Sequence, residues 1–353
     1  MNWPAWLTPN PLTRKRWQRF RALKRGYWSA ILLSLLLLCA GFAELLVNNR
    51  ALLVSYEGQW YFPTYGDMLP GHTFGLDYDY ETHYRELAAQ FAAEASGNWV
   101  LMPPVPYGVY ENDLRDGEYP PYPPSWDSGH WLGTDVTGRD VLARLLYGFR
   151  TAMAFSLLLL ASSYAIGIAV GCAMGYFGGA WDLIGQRLIE IWSNLPFLYV
   201  IMIVASLVPP NFWALLAIMV FFGWTSMTWY MRTATYKENT REYVVAARAL
   251  GASSTRIIFR HILPNTVSTI VTFIPFSVAS GITALTALDY LGFGLPPPTP
   301  SWGELLKQGT DNLESLWIVL SVVGAMTLVL MLVTYIGEAI REAFDPRSFS
   351  RYE

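Results

Sequence analysis

The sequence predicts an all-α integral membrane protein with six transmembrane helices and a long polar insertion between the first two. Hydrophobic residues make up 53% of the 353 residues and charged residues only 14%, which is typical of membrane proteins. Six apolar runs approach the length of about 20 residues that a helix needs to cross a bilayer. Basic and acidic residues also segregate to opposite sides of these runs, as expected of a multi-pass protein.

The six runs differ in length and in the polar residues that they contain. The first, Tyr27–Val47, is interrupted only by Glu44, and the third contains Asn194 and Pro196 and is a little short. The other five runs contain no Asp, Glu, Lys or Arg: Met153–Phe177, Ile191–Val208, Phe212–Met231, Thr266–Leu288 and Leu316–Gly337. Each run therefore predicts one transmembrane helix.

Charge predicts the orientation. Seven basic residues and no acidic ones precede the first run: Arg14, Lys15, Arg16, Arg19, Arg21, Lys24 and Arg25. Such a segment stays in the cytoplasm, and six crossings return the C-terminus there. Residues 48–150 and 289–315 then lie outside, and the first of these segments has six Arg against fourteen acids. The first run is too long for a signal peptide and lacks a clear cleavage site, so we expect it to remain as an anchor.

These patterns divide the chain into five parts: a cytoplasmic basic segment at 1–26, a first transmembrane helix at 27–47, the outer insertion with an amphipathic entry helix at 48–150, a five-helix core at 151–341 that contains a basic loop at 235–264, and a cytoplasmic tail at 342–353. The insertion has a predicted helix at Tyr84–Glu94 and enough aromatic surface, including Trp60 and Trp99, to form an ordered cap. Two interpretations remain open for this cap: a lid without ligand contact, or a substrate platform.

Two further segments flank the core on its outer side. Leu132–Arg150 predicts an amphipathic helix that begins at Asp135 or Thr137, with Arg139 and Asp140 as a local cap and ion pair rather than substrate ligands. Asp289–Leu306 contains four prolines within five residues, which predicts a rigid connection. Trp302 in this connection has the residue type that anchors a chain at the membrane interface.

The basic loop is the most informative segment. Tyr243–Leu250 consists of good helix formers, and Gly251 stands where a helix ends in the left-handed conformation. Ser253 or Ser254 can cap a second short helix, which Pro264 is expected to end. The apolar positions of this second helix are Ile257, Ile258 and Ile262.

The spacing of Ala246-Ala247, Gly251 and Leu263-Pro264 resembles the EAA motif of permease subunits in ATP-binding-cassette importers, in which Glu-Ala-Ala is followed by Gly, Ile and Leu-Pro at fixed distances. Val245 stands where the motif has glutamate, and His261 where it has isoleucine. Four shorter strings resemble the oligopeptide and dipeptide (peptide/nickel) branch: Gly133–Asp135, Gly138–Asp140, Leu145–Gly148 and Pro300–Gly303. Within that branch the likeness is closest to the Yej-type importers of peptides and microcin C.

The resemblance implies a type I importer permease fold in the bacterial inner membrane and transport of peptides or peptide-like compounds. The implied partners are a second homologous permease subunit, an ATPase with two domains, separate or fused, a periplasmic binding protein and membrane lipid, without nucleic acid. ATP and Mg bind the ATPase, and this chain holds no cofactor. The residues implied in coupling to the ATPase are Glu242, Ala246, Ala247, Gly251, Arg256, His261 and Pro264. Those implied in docking or structure on the outer face are Arg139, Asp140, Trp302 and Gly303.

Other function classes fit the residues less well. None of the four lysines follows a glycine as a nucleotide-binding P-loop requires, so the chain has no ATP site of that kind. The runs lack the carboxylates and histidines of an ion-driven carrier, apart from Glu44. An intramembrane protease needs catalytic groups at membrane depth, and the four histidines all lie outside the apolar runs. Cys39 and Cys172 lie inside apolar runs, which argues against a disulfide framework or a thiolate metal site. A passive channel, and a permease of the same family for nickel chelates, remain as alternatives.

Overall fold

The computed structural model describes residues 11–94 and 97–344. Parts of the predicted terminal segments, 1–10 and 345–353, lie outside the described residues. Helix α1 spans Pro11–Ala22 and α2 spans Lys24–Gly41, and the two are bent by 93° relative to each other. The chain turns at Phe42 into a short helix, α3, at Ala43–Leu46. The first apolar helix is therefore shorter at its end than the predicted 27–47.

The insertion is a small α+β layer, so the all-α prediction is wrong for this part of the chain. Strands β1 (Leu53–Tyr56), β2 (Gln59–Tyr61) and β3 (Trp99–Leu101) form an antiparallel sheet in the order β2-β1-β3. Glu57 and Gly58 join β1 to β2 with φ of 49° and 77°, as in the tight turns that favour hairpins. Helix α4 occupies Tyr84–Glu94, as predicted.

The insertion has a core of its own, because α4 packs on one face of the sheet. The buried side chains of that core are Ala51, Val54, Phe74, Tyr84, Leu87 and Phe91. The chain returns beside α3, where the amide of Val105 donates to the carbonyl of Leu46 over 3.0 Å. The insertion is thus tied to the end of the first apolar helix.

Helix α5 spans Val141–Phe177 and begins later than predicted. Its cap is Asp140, whose side chain accepts from the amide of Ala143. Asp135 instead accepts from the amide and hydroxyl of Thr137, at 2.9 and 2.8 Å. This local turn competes with helix formation, which explains why the helix does not begin at Asp135 or Thr137.

The predicted third span is broken. Helices α6 (Gly179–Ser193) and α7 (Phe197–Leu207) are bent by 70° at the break between them. Pro196 has no amide donor and disfavours helical geometry in the residue before it. The prediction of one helix over Ile191–Val208 was wrong because it treated Asn194 and Pro196 as interior residues.

The remaining core consists of α8 (Phe212–Asn239), α9 (Glu242–Ala249), α10 (Ser254–Ile257), one π-helical turn (Ile258–Ile262), α11 (Leu263–Leu291), α12 (Trp302–Asp311) and α13 (Leu316–Phe344). Within the described residues, four helices are long and apolar enough to cross a membrane, and six if each bent pair counts as one span. The predicted count of six therefore depends on those two bent pairs.

Helices α5 and α8 approach each other along three glycines of α5, Gly167, Gly171 and Gly175. A Cβ added at Gly171 would lie 2.6 Å from the carbonyl oxygen of Thr228, and one at Gly167 would lie 2.7 Å from that of Trp224. Small residues at this spacing allow two membrane helices to pack backbone against backbone.

Gly171→Leu is expected to separate α5 from α8 and to remove most of the folded protein from the membrane, because the contact is with backbone that cannot move aside. The recovery of monodisperse protein after extraction measures the effect. Gly324→Leu is the matched control, since a Cβ at Gly324 in α13 has no described atom within 4 Å apart from the neighbouring backbone of its own helix. Equal recovery of the two variants would contradict this packing.

The two ends of the bundle carry different segments. One end, here called the basic end, contains α1, residues 241–264 and the end of α13. The other, the insertion end, contains the insertion and residues 292–315. Contacts such as that between Trp317 and the carbonyl of Thr134, at 3.2 Å, join the insertion end to the core.

Candidate functional site

The basic loop folds as two short helices around a tight turn. Gly251 has φ of +79°, and its amide donates to the carbonyl of Arg248 over 3.0 Å. The amide of Ala252 donates to the carbonyl of Ala247 over 3.1 Å. Both bonds belong to the Schellman arrangement that ends a helix at a left-handed glycine. Ser253, not Ser254, caps the second helix by accepting from the amide of Arg256.

Ala247 lies on the inner face of this segment. It is only 9% exposed and packs in a cluster with Val244, Ile257 and Ile262. Tyr176, at the end of α5, covers the cluster. Ala247 therefore packs against side chains of its own chain, and its part in coupling to an ATPase stays a prediction.

Hydrogen bonds fasten the same segment to the ends of α5 and α8. Arg248 Nη2 donates to Asn239 Oδ1 over 2.6 Å, and Asn239 Nδ2 donates to the carbonyl of Tyr176 over 3.1 Å. Tyr243 donates to Glu238 Oε2 over 2.6 Å. Partial burial and the neighbouring Glu238 raise the pKa of Tyr243 to about 12, so its hydroxyl stays protonated as a donor. No sequence pattern marks Arg248 and Asn239 as partners, because they lie on different helices.

The outer face of the segment is exposed and partly apolar. Leu250 is 89% exposed, Phe259 66% and Val245 51%. Of the residues predicted for coupling, Glu242, Ala246, Gly251, Arg256 and Pro264 are exposed and His261 is partly buried. An apolar tip flanked by charged residues is typical of a surface that docks on another protein.

Pro264 does not end the second helix, contrary to the prediction. The helix passes through the π-helical turn, in which the amide of Leu263 donates to the carbonyl of Ile258, and continues as α11 with Pro264 in its first turn. A π turn adds one residue and so accommodates a proline that would clash in a regular helix. The segment is therefore continuous with a long helix of the core.

A cavity of about 470 Å³ lies in the core among α5, α7, α8 and α11. Its polar lining groups are hydroxyls: Ser163, Tyr164, Ser226, Tyr230, Ser277 and Ser280. The Tyr164 and Ser277 hydroxyls are 2.7 Å apart, and the buried Ser163 hydroxyl has no hydrogen-bond partner in the described part of the chain. No Asp, Glu, Lys or Arg of the described residues lines it. Such a lining can form hydrogen bonds with a solute but does not favour a solute of one charge over another.

A buried ion-pair network holds the insertion end together. Arg139 Nε lies 2.7 Å from Asp135 Oδ2, and Arg139 Nη2 lies 2.9 Å from Glu304 Oε1. The fully buried Arg144 pairs with Glu304 and donates to the carbonyls of Pro298 and Thr299 over 3.2 Å. The carboxylates raise the pKa of Arg139 and outweigh the opposite effect of its burial. Arg144 and Glu304 were not predicted as partners, because 160 residues of chain separate them.

The four residues predicted for the outer face are all buried within the chain. Asp140 caps α5 and lies 2.7 Å from His130 Nδ1. Trp302 donates from Nε1 to the carbonyl of Leu145 over 2.9 Å. Gly303 packs against the backbone of α11 so closely that a Cβ would overlap the carbonyl oxygen of Thr286. These residues, with Arg139, support the insertion end from inside.

No group of three His, Cys, Asp or Glu side chains in residues 11–94 and 97–344 is arranged to hold a metal ion. Residues 167–350 match the family described as the inner membrane component of binding-protein-dependent transport systems. This match covers more than half of the chain and includes the basic loop and most of the core.

The chain belongs to this family.

Relatives extend the match across the insertion. An inner membrane ABC transporter permease, YejE of Escherichia coli, is 42% identical over 96% of this chain and 98% of its own length. A peptidoglycan transport system permease, YejE of Agrobacterium fabrum, is 40% identical over 97% of this chain and 95% of its own length. OppC, an oligopeptide transport system permease of Mycobacterium bovis, is 32% identical over 71% of this chain and 86% of its own length.

A solved structure of an inward-facing MetNI methionine ABC transporter is 15% identical to the chain, with a TM-score of 0.48 over 58% of this chain and 97% of the other. Membership of the binding-protein-dependent family confirms the predicted family and the prediction of a transport subunit without catalytic function. The protein is a multi-pass component of the inner membrane.

Proposed function

We propose that this chain is one of two homologous permease subunits of an ATP-binding-cassette importer for peptides or peptide-like compounds. The observation that carries the proposal is the segment 241–264. Its exposed apolar outer face is suited to an ATPase, and its inner face is fixed to the ends of α5 and α8, which line the hydroxyl cavity. Motion of a docked partner would therefore reach the cavity walls.

The proposed orientation follows from charge. The seven basic residues at 14–25 place the basic end in the cytoplasm by the positive-inside rule. Both termini then lie in the cytoplasm, and the insertion with its six Arg and fourteen acids lies in the periplasm. This places segment 241–264 on the side where ATP is available and the insertion on the side where a binding protein delivers substrate.

The mechanism uses two arrangements of the helices. ATP and Mg would be held by the partner ATPase, and closure of its two domains would press on α9 and α10. The hydrogen bond from Arg248 to Asn239, followed by that from Asn239 to the carbonyl of Tyr176, carries the displacement to α5. The continuous helix from α10 through α11 carries it to the opposite wall of the cavity. Biasing a two-state element in this way is sufficient to alternate access without chemistry in this chain.

The substrate class rests on the relatives and on the cavity. By their names, the relative from Agrobacterium fabrum belongs to a peptidoglycan transport system and OppC to an oligopeptide transport system. Hydroxyl and aromatic side chains without charge suit the amide groups of peptides with varied side chains, including a microcin C type compound. Nickel chelates are the second candidate substrate class, as for other permeases of this branch. The type I importer fold and docking of a binding protein on the insertion end are part of the same proposal.

The test is reconstitution of the chain with its second permease and ATPase in lipid, with and without peptide-loaded binding protein. We expect ATP hydrolysis that the loaded binding protein stimulates, and we expect none from the chain alone. Leu250→Ser should weaken ATPase association by about ten- to hundredfold, because an apolar side chain that is buried on docking contributes about 1.5–3 kcal/mol.

Leu250→Met is the matched control, since it keeps an apolar side chain of similar size and should associate normally. Flux of peptide through the chain alone, indifferent to the ATPase, would support a passive channel instead. If the Ser and Met variants bind the ATPase equally well, Leu250 at the end of α9 is not part of the docking surface.

A further inference from the structure

Helix α1 has the properties of a helix that lies on a membrane surface. It is bent by 93° from α2, so it lies in the plane of the bilayer surface when α2 crosses the bilayer. Residues 14–25 contain seven basic residues and no acidic ones. A basic amphipathic helix in this position is attracted to anionic lipid headgroups.

An apolar groove of about 440 Å³ separates α1 from α11 and α13. One wall is the face of α1 formed by Thr13, Arg16, Trp17 and Phe20, which follow each other at helical spacing. The opposite wall contains aliphatic and aromatic side chains, including Val267 and Phe344. Trp17 remains 56% exposed and Val267 41% exposed, so the described part of the chain leaves this apolar surface open.

Arg16 lies at the edge of the groove, and one of its N–H donors has no hydrogen-bond acceptor among the described residues. Its guanidinium lies over the ring of Phe344, 4.4 Å from the ring centre. Its Nε is shielded from solvent and has no hydrogen-bond partner among the described residues. A shielded cationic donor is costly without an acceptor. The ligand that fits this arrangement has an anionic oxygen at one end and a long apolar body at the other.

We propose that the groove binds one anionic phospholipid of the surrounding leaflet, with an acyl chain between α1 and α11 and the phosphate at Arg16. Free phosphate would not use the apolar walls. A zwitterionic lipid would fill the groove but would gain less from the basic residues of α1. Because α11 continues directly from segment 241–264, the bound lipid would connect α1 to the helix that follows the loop. The site does not depend on which substrate the transporter carries.

The experiment uses the complete transporter complex, stripped of lipid in mild detergent and titrated with palmitoyl-oleoyl phosphatidylglycerol or the corresponding phosphatidylcholine. Native mass spectrometry counts the bound lipids. We expect one phosphatidylglycerol to bind more tightly than phosphatidylcholine. Arg16→Gln should lower its affinity by about fivefold, the effect of one basic residue near a membrane surface.

Two further variants distinguish a specific phospholipid site from the general attraction of anionic lipid to the basic residues of α1. Lys15→Gln removes the same charge from an exposed residue of α1 that does not line the groove, and it should change the affinity less than Arg16→Gln does. Val267→Trp fills the groove without changing charge and should reduce the binding of both lipids. Equal effects of Lys15→Gln and Arg16→Gln, or unchanged binding to Val267→Trp, would overturn the proposal. Variants are compared only as assembled complexes.

Discussion

Gly251→Pro is expected to abolish transport and the stimulation of ATP hydrolysis by the binding protein, while the chain still inserts and assembles in the membrane. Gly251 has φ of +79°, and proline is confined to about −65°. Proline also removes the amide that donates to Arg248 over 3.0 Å. Both changes alter the angle between α9 and α10, so the exposed face that includes Leu250 no longer matches its partner.

The control for this prediction uses the same position. Apart from Gly251 itself and its two chain neighbours, no described residue lies within 4 Å of a Cβ at this position, so backbone conformation rather than crowding determines the effect. Asparagine tolerates the left-handed region better than other residues, and Gly251→Asn should retain most coupling. Gly251→Val should lose coupling nearly as completely as proline. Normal stimulation of the proline variant would show that the turn at Gly251 does not position the docking surface.

Glu304→Gln is expected to destabilise the insertion end by about 3–5 kcal/mol, the usual cost of removing one member of a buried ion pair. Glu304 pairs with both Arg139 and Arg144, and Asp135 is the other carboxylate of the network. The two positive and two negative charges balance. Replacing Glu304 leaves two guanidiniums and one carboxylate in a site where Arg144 has no exposure to solvent.

The thermal unfolding midpoint of the purified chain, measured in detergent, tests this expectation. Glu314→Gln makes the same change at an exposed residue of the same end and should have little effect. Adding Arg139→Gln to Glu304→Gln restores the charge balance and should recover part of the loss. If the double variant is less stable than Glu304→Gln alone, hydrogen-bond geometry rather than charge balance holds the network together.

The sequence was sufficient for the features that depend on local physics. The apolar runs located the long helices because crossing a bilayer requires continuous apolar length. Gly251 marked the end of α9 because few other residues adopt its conformation. Helix α4 at Tyr84–Glu94 was predicted at its observed bounds, since its pattern of apolar residues is contained within the helix itself.

Local patterns misled where two local preferences competed. Asp135 is a good capping residue, but its side chain binds Thr137 and Arg139 within its own turn, and Asp140 caps α5 instead. Pro264 was expected to end a helix, yet a π-helical turn accommodates it at the start of α11. The three-stranded sheet was missed because its strands are only three or four residues long and because β1 pairs with β3 across more than forty residues of chain.

By itself, then, the sequence determined the membrane class, the location of the long apolar helices, the charge asymmetry of the chain, and the position of the loop at 241–264. Only the tertiary structure decided which side of that loop is free, because Ala246 and Ala247 are neighbours in sequence and only Ala247 meets Ile257 and Ile262. It also decided that Arg144 pairs with Glu304, 160 residues away. Pairings of that kind depend on how helices pack, and hydrophobic periodicity does not record which helices become neighbours.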